Sequence, residues 1–551
     1  MNRRSFLSFS PTETEVKKAY SPMVNPPETG LDSYNGVWEL PQAAHLLRRL
    51  MFGAKWEDVQ FFLGLTPSQA VDYLLNPTAP PPPLPVNDYN EAGFVDPDVP
   101  MGETWVNAPF SDTFEGSRIW SLKAWWQGNM IEQDRSIMEK MILFWHNHVP
   151  IQFYGVFSAN WDYRYLNTIR QGALGSIRQL IRNLTLDPAM LHYLNGQYNS
   201  AGSPDENYAR ELQELFCIGK GPDANFTEDD VKAAARVLTG WRVNYNNNTV
   251  IFNHFEHDSG IKLFSSFYNN AIITGYTGQN GMQELDELLD IIFGNDECAL
   301  FLCRKIYRFF VHHEIDDLTE ENVIIPLAEI LRNNDYQIKP ILEVLFKSQH
   351  FFDALSLGAM IKGPADYTIG LYREFNTPIP PRPALVDRYQ HNGTLTYVSF
   401  VQGQEVGDPP NVAGWPAYYQ IPVFDKIWIN TNTLPYRAQF ADWILWAGVS
   451  TENYISQLNI LDTVAQIPNA DDPNVLIDTV LDWMYGIEVS NTLKFQLKAI
   501  LLSGQISDYY WTDAWNTYLN NPSNQMATET VRNRLLLFFY KILHQEEHHL
   551  A

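Results

Sequence analysis

The chain has 551 residues, with 38 lysines and arginines against 64 aspartates and glutamates, a formal net charge of −26; hydrophobic residues make up 45% and aromatics 14%. That apolar content excludes a disordered polymer and suffices for a large core. The acidic balance argues against nucleic acid and anionic membrane surfaces as partners, because phosphates would be repelled.

At the amino terminus Asn2-Arg3-Arg4-Ser5-Phe6-Leu7-Ser8 has the form of a twin-arginine export motif. The apolar segment of roughly 7–15 residues that should follow is missing. Ser10-Pro11-Thr12-Glu13 stands in its place, so no complete signal peptide is present. Two expectations stay open: no independent export, or export with a partner that carries a complete signal. No run approaches the ~20 apolar residues of a membrane span. Cys217, Cys298 and Cys303 are too few for a disulfide framework and read as small buried hydrophobes.

Residues 1–36 read as a polar arm, and 37–551 as one large, multi-lobed helical domain. Helical periodicity begins at Leu40, with Leu46, Leu47 and Leu50 on one face, and Thr66-Pro67-Ser68-Gln69 is a capping box with proline at the first helical position. Pro77–Pro85 reads as a stiff polyproline strap or linker. A helix beginning near Arg135 should end in Phe144-Trp145-His146-Asn147-His148 before Pro150. Ser203-Pro204-Asp205-Glu206 and Thr227-Glu228-Asp229-Asp230 look like caps of a helical hairpin, with Gly219 and Gly240 as the stops. Val243–Phe252 is the best β-hairpin candidate. Helical patterns return at 284–292, 299–311 and 322–352, and again from Ala438. Residues 380–437, rich in Pro, Gly and Asn, read as a long irregular loop region. The expected fold is mainly α, a multi-helical body with at most a minor β-hairpin.

Three constellations could carry chemistry. In Glu206–Leu215 the helical period gathers Asn207, Arg210, Glu211 and Glu214 on one stripe, opposite Tyr208, Leu212, Leu215 and Phe216. That stripe is either a solvated face with an i,i+4 pair or a cleft wall of catalytic carboxylates beside an arginine. His146 and His148 lie about 200° apart on a continuous helix and converge only if the helix breaks there. His257-Asp258 is a further His/Asp pair. If a divalent metal is held, His146, His148, His257 and Asp258 are the expected ligands, with Glu211 or Glu214 available beside them. Arg304, Lys305 and Arg308 read as the cationic end of a helix. His544-Gln545-Glu546-Glu547-His548 matches an inverted zinc-protease pattern but sits where chain ends fray, and is set aside.

These residues carry a resemblance. His45-Leu46-Leu47-Arg48-Arg49 with Phe52-Gly53, Phe144–His148, Glu206–Glu211 with Glu214-Leu215-Phe216, and Leu238-Thr239-Gly240-Trp241 form its first part. His257-Asp258 with Lys262, Gly403-Gln404, Asp408-Pro409-Pro410-Asn411-Val412-Ala413-Gly414-Trp415-Pro416 and Trp428–Thr431 complete it. From about Leu40 onward the chain resembles the bacterial family of "domain of unknown function 1800". The resemblance implies an envelope or extracytoplasmic setting and a co-encoded partner similar to the phosphatase and sulfatase superfamily; it implies no established reaction. It also raises the weight of one shared polar site, with Trp145, Gln404, Asn411 and Trp415 as binding residues beside Glu211, Glu214, Arg210 and Asn207.

Two functions are expected on this reading. One is an extracytoplasmic hydrolase, metal-assisted or not, acting on a glycan or cell-envelope polymer. The other is a non-catalytic partner or assembly factor for the phosphatase-like protein, its polar cluster a closed structural network. The loop 403–416 should be a rigid wall over the 206–218 helix, with the His146–His148 corner beside it.

Overall fold

The computed structural model describes residues 26–245 and 247–551. The twin-arginine-like motif at Asn2–Ser8, and Asn246 in the hairpin turn, lie outside the described residues. Residues 26–36 lie against the body: the Tyr34 N–H donates to the Lys347 carbonyl at 2.8 Å, and the Thr29 hydroxyl to Asp353 at 3.2 Å.

The chain is mainly α-helical. Its first part runs through α1 (Leu40–Leu50), α2 (Trp56–Leu63), α3 (Pro67–Leu75), α4 (Glu115–Glu132), α5 (Met138–His148) and α6 (Ala159–Gly172). It continues with α7 (Ile177–Thr185), α8 (Pro188–Tyr193) and α9 (Asn207–Glu211), which runs on as a π-turn over Leu212–Cys217, and then α10 (Glu228–Val237). Two antiparallel pairs follow, β1 (Trp241–Asn244) with β2 (Thr249–Phe252) and β3 (Lys262–Leu263) with β4 (Ile272–Ile273). Helices α11 (Glu284–Phe293), α12 (Asp296–Phe310), α13 (Ile325–Asn333), α14 (Ile338–Phe346), α15 (Pro364–Glu374) and α16 (Leu385–Val401) lead to α17 (Thr433–Trp446). A last short pair, β5 (Val449–Ser450) with β6 (Ile455–Ser456), precedes α18 (Pro473–Met484), α19 (Asn491–Leu501), α20 (Tyr509–Asn520) and α21 (Gln525–Leu543).

Local chemistry explains the helix ends. Thr66 accepts from the Gln69 N–H and the Gln69 side chain accepts from the Thr66 N–H, and Thr227 and Asp230 do the same at α10. Ser203–Glu206 does not form the expected box: Asp205 takes the Asn207 N–H at 2.8 Å, and the Glu206 carboxylate turns to Arg210 at 3.0 Å. An arginine one turn away competes successfully for that carboxylate.

Residues 380–437 depart from the expected irregular segment, because α16 occupies 385–401. Its sequence has poor intrinsic propensity, with Asn392-Gly393 at its centre. Packing against α4 overrides this. A Cβ at Gly393 would come within 2.9 Å of the Trp120 Nε1, and one at Gly128 would overlap the Asn392 amide, so glycine on each helix permits a close crossing. The irregular chain is thereby confined to about 402–432, broken only by short 3₁₀ turns at Pro416–Tyr418 and Phe424–Trp428.

The buried apolar residues form one continuous cluster reaching from Ala43 to Leu543, and all three cysteines are buried and free. The cationic motif on α1 holds this core together. Arg48 donates to the Trp483 and Tyr485 carbonyls (2.7 and 3.2 Å), and Arg49 to those of Phe310 and Phe309 (2.8 and 3.1 Å), so α1 ties the ends of α12 and α18. The carboxy-terminal residues are equally engaged, contrary to the expected fraying. The Ala551 N–H donates to the Met360 carbonyl at 2.8 Å and His548 packs edgewise on Tyr367, while His544 turns away to Asp442 at 3.3 Å.

Gly53 follows α1 with φ +73°, and a Cβ there would lie 2.7 Å from the Gly370 Cα of α15. Gly53→Ala therefore forces both a strained backbone and a helix displacement. A loss of about 2–4 kcal/mol is expected in denaturant unfolding, against under about 0.5 kcal/mol for Gly116→Ala, whose Cβ meets open space.

Candidate functional site

Helix α5 does not break at His146. It stays α-helical to His148, and the Val149 N–H closes it on the Trp145 carbonyl at 2.9 Å. The two imidazoles therefore diverge, as the i,i+2 spacing requires. His146 points into an aromatic niche of Trp126, Phe153, Tyr165 and Trp415, with ring centroids 5.3–5.8 Å away. The Tyr165 hydroxyl donates to the Val149 carbonyl (2.6 Å) and so faces the His146 Nδ1 (3.3 Å) as an acceptor. His148 stacks on Phe144 and donates from Nε2 to the Phe216 carbonyl at 2.9 Å. Burial pushes both imidazoles down to about 3, aided by Lys123 at His146 and by Lys305 at His148. Both rings are neutral at pH 7.

Between the two histidines Asn147 holds the loop. Its Oδ1 accepts the Trp415 N–H at 2.9 Å, and Gly414, with φ +84°, lies so close that a Cβ would overlap the Asn147 carbonyl oxygen. The expected ligand-stacking faces do not materialise. Trp415 is 1% exposed, and Trp145 is fully buried with its Nε1 on the Ala173 carbonyl (3.0 Å), because this tie draws the loop's tryptophan into the core. Gln404 is also buried, accepting the Ala365 N–H at 3.0 Å, whereas Asn411 stays exposed and donates to the Tyr419 hydroxyl at 3.1 Å. One turn earlier in the loop, Asp408 accepts the Tyr154 N–H (2.9 Å) and pairs with the buried Lys123 Nζ at 2.5 Å; Glu405 shares that ammonium at 2.7 Å.

Helix α9 supplies the third wall. The π-turn, a geometry common at functional sites, brings the Ile218 and Gly219 N–H groups onto the Gln213 carbonyl and leaves the Phe216 carbonyl to His148. The polar stripe divides. Arg210 faces outward, bound by Glu228 (2.7 Å), Glu206 (3.0 Å) and Glu214 (3.6 Å), and Glu214 also pairs with Lys220. Asn207 donates to the Leu194 carbonyl at 3.3 Å. Glu211 alone keeps a buried carboxylate oxygen without a partner. Burial raises its carboxyl above the ordinary value; Glu214 adds to this, while Lys220 and Arg210 oppose it.

The loop and α9 both act on Tyr193, the last residue of α8. Its hydroxyl is pushed up to about 12 by burial and then by the charges of Asp408 and Glu211. Burial raises Asp408 as well, with Lys123 pulling the other way. Behind it lie two acids absent from the sequence reading. Asp162 is fully buried without a partner on either oxygen, and burial followed by the repulsion of Asp408 raises it well above its ordinary value. Asp187 caps α8, accepting the Ala189 N–H at 2.9 Å, and burial raises it to about 7. The only sequence signal for either was Asp187-Pro188 as a helix start; Asp162 sits unmarked inside α6.

The His257-Asp258 pair joins a separate network. Asp258 takes a two-pronged bond from Arg236 (2.6 and 3.0 Å). His257 Nε2 meets the Glu284 Oε1 at 3.0 Å, the Tyr276 N–H donates to the same oxygen at 2.7 Å, and Lys262 reaches the other Glu284 oxygen. Against the upward push of burial, the His257 and Lys262 bonds hold the Glu284 carboxyl below its usual value. His257 and Asp258 are thus committed to partners of their own and do not join His146 and His148. Among the described residues no group of three or more His, Cys, Asp or Glu side chains is arranged to hold a metal ion.

The depressed imidazoles set the acid limb of stability. The unfolded chain takes up a proton near pH 6.5 and the folded one only near pH 3, so each histidine's contribution is complete above pH 6.5 and is lost as pH falls towards 3. His146→Phe removes one such proton. Between pH 7 and pH 5 the wild type should lose about 2 kcal/mol more than the variant in urea unfolding; parallel curves would mean that His146 titrates normally.

No helix among the described residues is long and apolar enough to cross a membrane. No curated protein and no solved structure matches the chain. One family model does, over residues 45–526, spanning α1, the α5 corner, α9 and the Asp408–Trp415 loop, and its description is "Protein of unknown function (DUF1800)". The chain belongs to the DUF1800 family.

Proposed function

We propose that the junction of α5, α8, α9 and the 402–416 loop is the acid–base site of a hydrolase acting on a glycan or other cell-envelope polymer outside the cytoplasm. One observation carries the reading: two partly exposed carboxyls, Glu211 and Asp408, each raised by burial, act on the same Tyr193 hydroxyl. Paired carboxyls in unequal surroundings suit hydrolysis, in which one gives a proton and the other takes one. Glu211, with an unpartnered oxygen, is the proton donor to the leaving-group oxygen. Asp408, stabilised as a carboxylate by Lys123 and the Tyr154 N–H, takes a proton from the attacking water. The water oxygen bonds to the reacting carbon as the bond from that carbon to the leaving oxygen breaks. Arg210, Glu214 and Asn207 then serve to hold α9 in place. No step here is routed through a metal.

A second reading, a non-catalytic partner of a phosphatase- or sulfatase-like protein, is favoured by the closed Asp258–Arg236 and His257–Glu284–Lys262 networks. Activity separates the two. On a panel of envelope polysaccharides the wild type should release reducing ends, with the rate falling as pH rises past the Glu211 value. Glu211→Gln and Asp408→Asn should each lower the rate about 10²-fold or more, with Glu211→Gln leaving the melting temperature unchanged. No release by the wild type from any polymer, or full activity in both variants, would refute the hydrolase reading.

A further inference from the structure

A second site lies at the other end of α4, along the strap of prolines. Three cavities of about 760, 600 and 160 Å³ all border Glu132 and Arg382 and together form one trough. Residues 77–83 supply one wall of it. The strap is fixed at its carboxy-terminal end. The Trp125 Nε1 donates to the Pro83 carbonyl at 2.7 Å, and the Ser121 hydroxyl to that of Val86 at 2.9 Å. A polyproline segment so held loses little freedom when a ligand arrives.

The charges of the trough nearly cancel, with six cationic side chains against five carboxylates over the three cavities. In the largest cavity four cationic side chains face four carboxylates, although the chain as a whole carries −26. They are paired with one another: Asp58 receives Arg135 (2.8 Å) and Arg373 (3.2 Å), and Glu132 receives Arg382 (3.2 Å). A trough so neutralised attracts neither an anion nor a cation. It offers planar groups of both kinds side by side, guanidiniums that only donate and carboxylates that only accept, which together suit hydroxyl groups that both donate and accept. At its mouth Tyr73 is 45% exposed and presents a ring for stacking. Together the three cavities exceed the roughly 300–1,000 Å³ of a single small-ligand pocket.

The geometry points to a binding site for a linear, uncharged oligosaccharide in this trough. Its ligand class rests on the glycan reading given above, but its test is binding and needs no turnover. Glu132 lies nine residues after Lys123 on α4, roughly 14 Å along the helix axis at 1.5 Å per residue. A chain seated in the trough is thus held one short helix length from the Lys123–Asp408 pair.

The experiment is isothermal titration of the full chain with neutral linear hexasaccharides of β-1,4-, β-1,3- and α-1,4-linked glucose, an anionic oligogalacturonate, and an extended hexapeptide. At least one neutral saccharide should bind saturably, with affinity unchanged between about 50 and 500 mM salt, because no net charge is engaged. Tyr73→Ala combined with Arg382→Ala, both on exposed side chains, should weaken it at least tenfold, and Glu211→Gln should bind as the wild type does. The inference is overturned by no saturable binding of any neutral saccharide, by equal affinity in the double variant, or by tighter binding of the oligogalacturonate or the peptide. Binding that survives while no polymer is hydrolysed would overturn the catalytic reading alone.

Discussion

The contact between Asn147 and the Gly414–Trp415 backbone sets the geometry of everything around it. Asn147 sits where α5 ends, and its side chain accepts the Trp415 N–H in a position that only glycine at 414 allows. That single tie fixes where the loop leaves the core, and so where Asp408 meets Lys123 and Tyr154. It also closes the aromatic niche over His146. On the other side of the same corner His148 binds the end of α9, which places Glu211. Three segments, one 68 residues and another 268 residues away from their partners on α5, are thus locked at one helix terminus.

Buried charge is handled in two ways. The guanidinium groups of Arg48 and Arg49 donate to carbonyls at helix ends, where acceptors are left over by the helices themselves. Lys123, Lys262 and Arg118 instead meet carboxylates beside them. Both arrangements offset desolvation, and removing one partner would leave a charge stranded at a cost of about 3–5 kcal/mol. The motif cations of α1 therefore serve the architecture. Among the acids with a buried oxygen that escapes such pairing, Asp162 and Glu211 lie on α6 and α9. This contrast distinguishes the candidate site from the closed His257–Glu284–Lys262 network.

The fold class was legible because hydrophobic periodicity, the Thr66 and Thr227 boxes, and the Gly219 and Gly240 stops are local signals. Helix 385–401 was not, since its stability comes from a glycine-mediated crossing with α4 that no local window contains. That α5 touches both the 403–416 loop and the end of α9 accords with the motif-borne polar residues there, but the orientation of the side chains was not legible. Trp145 and Trp415 face the core, Arg210 faces outward, and His257 belongs elsewhere, because direction depends on which partners the tertiary fold supplies. Asp162 was invisible for the same reason, and Asp187 showed only as a helix start; the shift of each comes from what surrounds it.

The account turns on Glu211 and Asp408 both acting on the Tyr193 hydroxyl. Selective ¹³Cζ labelling of tyrosine, with Tyr193 assigned by its loss in Tyr193→Phe, reports that shared field without any substrate. The Tyr193 signal should titrate above the ordinary tyrosine value of about 10, and Asp408→Asn and Glu211→Gln, which each remove a neighbouring negative charge, should each lower its midpoint. A Tyr193 midpoint at the ordinary value, unmoved by either variant, would contradict the existence of a shared acid–base site.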